Sequence, residues 1–224
     1  GFVISVLFYV AIKTFLLKGD GTTLSIFALL TTIVIASGIG FIDDILGWAH
    51  GGLSAKLRIF LMFFAAIPLM VINAGQSNID LPLIGIIDTG LLYALLFIPI
   101  GIIGATTTYN FLAGFKGLEA GQGIIILSFL SLISYLTGSS WLALIGLCMV
   151  AGIIGFYFFN IIPGKVFPGD SLTYAIGALI ACMAILGNFE KIAIFIFIPY
   201  IIETIFKVRG KLKKYSFGIP KKDG

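Results

Sequence analysis

The chain has 224 residues, of which 59% are hydrophobic and 11% charged, with a formal net charge of +4. A mean hydropathy of +1.15 excludes a soluble globular domain, and basic residues placed beside apolar runs argue against a nucleic-acid partner. Cys148 and Cys182 both lie inside apolar runs and His50 stands far from either, so the thiols read as helix residues and no zinc ligand set is present.

Apolar runs of about 18 or more residues indicate membrane spans, because about 20 residues of helix cross about 30 Å of hydrocarbon. Eight spans are read, over 2–18, 23–42, 57–75, 91–109, 120–137, 140–160, 171–188 and 191–207. Gly19–Gly21 and Gly138–Ser140 predict tight helical hairpins. Between the third and fourth spans, the alternation of Ile79, Leu81 and Leu83 around Pro82 predicts a small β-hairpin or interfacial loop. No repeat or low-complexity linker divides the chain, so residues 1–224 are expected to form one all-α, polytopic integral-membrane domain. The start at Gly1 without Met and the polar end lead to the expectation of a fragment cut at both ends.

Orientation follows from the excess of Lys and Arg in cytoplasmic loops. One set of loops holds Lys56, Arg58, Lys116, Lys165, Lys207, Arg209, Lys211, Lys213, Lys214, Lys221 and Lys222, while Lys13, Lys18 and Lys191 belong to the other face. The first set is expected to face the cytoplasm, and it also holds Asp43, Asp44, Asn110, Glu119 and Asp170. The candidate chemistry is therefore one-sided.

Adjacent carboxylates at Asp43 and Asp44 close the second span, where charge is costly unless it pairs or meets a cation. They read either as a solvated helix end or as groups for metal and phosphate chemistry. Lys56 and Arg58 open the third span and either snorkel to headgroups or, for Lys56, neutralise a bound phosphate. The stretch Asn110 to Gln122, Asn-Phe-Leu-Ala-Gly-Phe-Lys-Gly-Leu-Glu-Ala-Gly-Gln, combines an amide, an ammonium, a carboxylate and three glycines, residues that let backbone approach a ligand. Asn110 suits a hard cation or a helix C-terminus. Glu119 suits the positive end of the helix it begins. In Pro163-Gly-Lys-Val-Phe-Pro-Gly-Asp-Ser171, Asp170 is either a helix N-cap or the third carboxylate of a constellation, and Phe167 is placed to stack on a base. Three polar loops on one face fit metal-assisted phosphoryl transfer between a soluble nucleotide and a membrane-dissolved acceptor.

With these motifs the sequence resembles the polyprenyl-phosphate N-acetylhexosamine-1-phosphate transferase family, which includes the bacterial phospho-MurNAc-pentapeptide transferases. The run Asn110 to Gln122 is most similar to the eukaryotic and archaeal branch, the UDP-GlcNAc:dolichyl-phosphate GlcNAc-1-phosphate transferases. The resemblance extends from Phe-Ile-Asp43-Asp44 through Phe-Pro-Gly-Asp170 to Ile-Leu-Gly-Asn-Phe-Glu-Lys191. It implies a cytoplasmic active site in a fold of about ten membrane helices, of which this chain would be part. It implies that Asn110 and Asp170 ligate Mg²⁺, with Mn²⁺ as an alternative. Asp43, Asp44 and Lys56 would act on the phosphates, and Phe167 with Gly114, Lys116 and Glu119 would hold the nucleotide. UDP-N-acetylhexosamine and dolichyl or another polyprenyl phosphate would be the substrates, in the lipid bilayer, with a homodimer compatible. Lys116 departs from the family pattern, as do Thr107 and the lysine-rich segment Ser216–Gly224. A membrane transporter of a polar or anionic substrate is the alternative reading. An intramembrane aspartyl protease and a CDP-alcohol phosphotransferase rank below it.

Overall fold

The computed structural model describes residues 1–16, 21–75, 78–81, 85–112 and 114–210. Most of the Gly19–Gly21 link, the turn at Pro82 and the segment Ser216–Gly224 lie outside them. The helices are α1 (Phe2–Phe15), α2 (Thr23–His50), α3 (Ala55–Val71), α4 (Ile98–Phe111), α5 (Leu118–Leu136), α6 (Ser140–Asn160), α7 (Asp170–Gly187), α8 (Glu190–Ile196) and α9 (Ile198–Arg209). A π-helical turn at Tyr93–Phe97 leads directly into α4. Two short antiparallel strands, β1 (Asn78–Leu81) and β2 (Gly85–Asp88), pair Asn78 with Asp88 and Leu81 with Gly85.

Among the described residues five helical segments are long and apolar enough to cross a membrane: Thr23–Gly47, Tyr93–Phe111, Leu118–Leu136, Ser140–Asn160 and Asp170–Gly187. The protein is an α-helical integral membrane protein. Two boundaries differ from the sequence expectation. The second span continues as helix to His50, because nothing breaks it before Gly51, which takes the left-handed φ of 84° that ends helices. At 28 residues and about 1.5 Å each, α2 is about 42 Å long, and Asp43 and Asp44 lie in its last turns. The run 191–207 is two helices, α8 and α9. Pro199, in the first turn of α9, lacks the N–H that would continue the ladder and crowds the preceding turn.

The centre of the molecule is α7, buried continuously from Thr173 to Ile185, as expected of a helix that is apolar all round. It packs chiefly against α2 and α4, and glycine sets both distances. A Cβ on Gly40 of α2 would lie 2.4 Å from the Asp170 carbonyl oxygen, and one on Gly177 of α7 would lie 2.7 Å from the Cα of Thr106 on α4. Hydrocarbon offers no hydrophobic drive between helices, so such small-residue contacts govern their approach. They also fix register. Asp43 and Asp44 follow Gly40 by one turn and therefore meet the N-terminus of α7. Asn110 follows Thr106 by one turn and meets Tyr174, one turn before Gly177.

Candidate active site

Asp43 is 2% exposed in the last turns of α2. After Gly51 the chain doubles back, and the Leu53 N–H donates to Asp43 Oδ1 at 2.7 Å. Ser54 then caps α3, its hydroxyl accepting the Leu57 N–H at 3.4 Å. The first turn of α3 delivers Arg58 to the same carboxylate. Its Nη2 donates to Oδ1 at 3.2 Å, and its Nε lies 2.6 Å from Oδ2.

Asp44 turns instead toward α7. Its Oδ1 accepts the Asp170 N–H at 2.8 Å and its Oδ2 accepts the Ser171 N–H at 3.1 Å. The first N–H groups of a helix lack intrahelical partners and form the positive end of its dipole. Asp44 thus caps α7 from another helix. A Cβ on Gly169 would sit 2.3 Å from Asp44 Oδ2, so the approach depends on that glycine. The Ser37 and Ser171 hydroxyls, 3.0 Å apart, add a second link between α2 and α7. Asp170 is consequently not the cap of its own helix. Gly169 occupies the N-cap position without a side-chain bond, which leaves the Asp170 carboxyl for the site.

That carboxyl lies beside the carboxyl of Asp43, with Asp44 and Arg58 as further charged neighbours. One turn along α7, the Tyr174 hydroxyl lies near the Asn110 side chain. Asp43, Asp44, Arg58, Asn110, Asp170 and Tyr174 therefore form one connected group at one end of α2, α4 and α7. Three carboxylates face one guanidinium, which leaves negative charge uncompensated. Among the described residues no three His, Cys, Asp or Glu side chains are arranged as a metal cage. Mg²⁺, however, uses only one or two protein carboxylates and takes its other oxygens from water and substrate phosphates. With Asp44 occupied by amides and Asp43 by Arg58 and the Leu53 amide, the oxygens of Asp170 and Asn110 make a donor set of that kind.

The stretch after Asn110 is braced from within. Glu119, 1% exposed, accepts the Gly114 N–H on Oε1 at 2.6 Å, and its other oxygen is buried without a hydrogen-bond partner. The Tyr109 hydroxyl donates to the Glu119 carbonyl at 2.5 Å. Asn160, fully buried, links two loops. Its Oδ1 accepts the Gly117 N–H at 2.9 Å and its Nδ2 donates to the Val166 carbonyl at 2.9 Å. Phe167 is 46% exposed beside the Asp170 end of α7. Lys116 is exposed, with its stem against Gly164. Lys56 is exposed, and Arg58 rather than Lys56 joins the carboxylates. Two residues apart on a helix, the two basic groups point about 200° apart, so only one can turn inward. Besides Arg58, sequence reasoning missed Tyr174 and Asn160. Tyr174 sits one helical turn after Asp170 and carries that signal; Asn160, the last residue of an apolar helix, carries it as a lone amide in hydrocarbon.

Comparison with known proteins now decides the family. The profile of glycosyl transferase family 4 matches residues 26–188, which contain the whole connected group. The chain belongs to glycosyl transferase family 4. A Saccharolobus solfataricus relative, provisionally named a UDP-N-acetylglucosamine–dolichyl-phosphate N-acetylglucosaminephosphotransferase, is 38% identical over 192 residues, covering 85% of this chain and 58% of the relative. A Dictyostelium discoideum protein of the same name is 30% identical, covering 81% of this chain and 51% of the relative. A Halalkalibacterium halodurans phospho-N-acetylmuramoyl-pentapeptide-transferase is 33% identical, covering 84% and 64%. This family 4 chain spans between half and two thirds of the length of these curated relatives.

Proposed function

We propose that the protein of which this chain is part transfers GlcNAc-1-phosphate from UDP-GlcNAc to dolichyl or another polyprenyl phosphate. The relatives' names supply the substrate class. The observation that carries the reading is the union of Asp43, Asp170, Arg58 and Asn110 at the end of three apolar helices, beside a glycine-bearing loop. Phosphoryl transfer between a soluble donor and a lipid acceptor needs negative oxygens, fixed cations and a boundary position together. In this reading the chain contributes eight membrane helices, α8 and α9 together making the last. The β1–β2 pair is extracytoplasmic, and the carboxylates face the cytoplasm.

Asn110 and Asp170 would hold Mg²⁺, which supplies charge neutralisation for the pyrophosphate and the departing UMP. Asp43, fixed by the Leu53 amide and Arg58, borders the same space and orients the incoming lipid phosphate. Arg58 and Lys56 offset the added negative charge, and Lys56, exposed, reaches outward for it. Phe167 offers a face for the uracil ring, with the loop around Gly114 and Lys116 joined to its own loop through Asn160. Glu119 holds that loop rather than the substrate, since it is buried and one of its oxygens accepts the Gly114 N–H. A phosphate oxygen of the lipid attacks the β-phosphorus of UDP-GlcNAc. The bond from that phosphorus to the bridging oxygen breaks, and UMP leaves with the electron pair. The other product is the lipid-diphosphate sugar.

The test is UMP release from a panel of UDP-sugars by the full-length protein with dolichyl phosphate. Release with UDP-GlcNAc, strongly reduced by Asp170→Asn and Asn110→Ala, is expected. Substrate uptake without UMP release would establish a transporter instead.

A further inference from the structure

The second half of the last predicted span, α9, does not lie against lipid alone. It grips both ends of the stretch Asn110 to Gln122. At its start the Tyr200 hydroxyl, 2% exposed as a residue, donates to Gln122 Oε1 at 2.8 Å. The Tyr200 ring stacks on Tyr109, with centroids 5.4 Å apart and planes 15° apart. At its end Lys207 Nζ donates to the carbonyl of Phe111, the residue directly after Asn110, and lies 4.9 Å from the centre of the Phe111 ring.

This is not how a lysine near a membrane surface ordinarily behaves. Its long stem usually lets the ammonium extend to the headgroups. Lys207 turns back onto α4, where the last carbonyls have no intrahelical partner and form the negative end of the dipole. Glu203, one turn earlier on α9, is its charged neighbour. The ammonium thus closes the C-terminus of α4 at the turn that presents Asn110, while Tyr200 holds the residue before Asn110 and the second turn of α5.

We propose that Lys207 is a positioning residue for Asn110: by holding the Phe111 carbonyl it sets the direction in which the Asn110 amide faces Asp170 and the divalent cation. The inference rests on the metal reading given above. Groups that orient a ligand without touching the metal commonly change its affinity about 10- to 100-fold when removed.

The test uses the full-length protein purified in detergent, with Mn²⁺ binding followed by electron paramagnetic resonance and thermal unfolding measured alongside. Lys207→Met is expected to weaken Mn²⁺ binding about tenfold and to raise the metal concentration for half-maximal UMP release equally. Turnover at saturating metal should fall by less. Lys207→Arg, which keeps a donor and a charge, should restore affinity. Tyr200→Phe, which removes only the bond to Gln122, should produce a smaller shift in the same direction. Unchanged Mn²⁺ affinity in Lys207→Met, alongside weakened binding in Asn110→Ala, would overturn this inference alone. Unchanged binding in Asn110→Ala would overturn it together with the metal reading. A lowered melting temperature without a change in affinity would mark Lys207 as merely structural, and so overturn it too.

Discussion

Asp44 caps helix α7 at the amide of Asp170, a residue 126 positions away in the chain. Both carboxylate oxygens are used, one on Asp170 and one on Ser171. The adjacent acids of α2 therefore divide their work. About 100° apart around the helix, Asp44 fixes the backbone of α7 while Asp43 faces Arg58 and the Asp170 side chain. Asp44→Ala should lose about 2 kcal/mol of stability, the upper range for a lost N-cap. It should also lower transfer at least about tenfold, because the Asp170 carboxylate is no longer held in place. Asp44→Asn keeps one acceptor and should retain most of the stability. Thermal melts of both variants, read beside UMP release, check this. Equal melting losses in the two would contradict a capping role.

Arg58 balances Asp43, which is almost wholly buried while the guanidinium side chain is 33% exposed. Removing one member of a buried ion pair typically costs about 3–5 kcal/mol. With one partner in contact with solvent, a loss of about 2 kcal/mol is expected for Arg58→Met. Lys56→Met, at an exposed position, should leave stability within about 0.5 kcal/mol and raise KM for the nucleotide sugar instead. Should Lys56→Met prove the more destabilising of the two, the assignment of Arg58 as the partner of Asp43 would be wrong.

Chelation offers a third check. Three carboxylates against one guanidinium leave the site short of positive charge. EDTA should therefore abolish transfer by the full-length protein, and Mg²⁺ should restore it. Asp170→Asn should require at least about tenfold more Mg²⁺ for whatever activity remains. Full activity in EDTA would remove the metal from the proposal.

The apolar runs made the helices legible, and Asp43, Asp44, Asn110 and Asp170 stood out as a candidate site spread over several loops. Two boundary errors were avoidable. Gly51 and Pro199 already mark where α2 ends and where the last span breaks. The pairings were not legible. Periodicity tells which residues share a face but not which face meets which, so nothing local distinguishes Arg58 from Lys56 as the partner of Asp43. The same holds for Asp44, whose partners are backbone amides that any sequence would supply, and for Lys207, which reads as one more basic residue at the cytoplasmic edge. Gly40 and Gly177 set these registers, yet two glycines among 28 do not announce themselves.

Asn160 joins the two loops that the proposal places around the nucleotide. It accepts from Gly117, two residues from the end of the brace made by Glu119, and donates to Val166, next to Phe167. Both bonds reach backbone groups, and a buried backbone group left without a partner costs about 1–3 kcal/mol. Asn160→Ala removes both at once, so a loss of about 2 kcal/mol or more in stability is expected. The kinetic signature should be specific. In the proposed reading the two loops bind the part of the donor that does not react, so their loosening removes binding common to ground and transition states. That raises KM for UDP-GlcNAc while turnover changes little. Asn160→Asp keeps the acceptor toward Gly117 but loses the donor toward Val166 and buries a charge, so it should destabilise at least as much as alanine. Steady-state kinetics with melting curves distinguish the cases. A fall in turnover with unchanged KM would place Asn160 with the reacting groups rather than with the nucleotide loops.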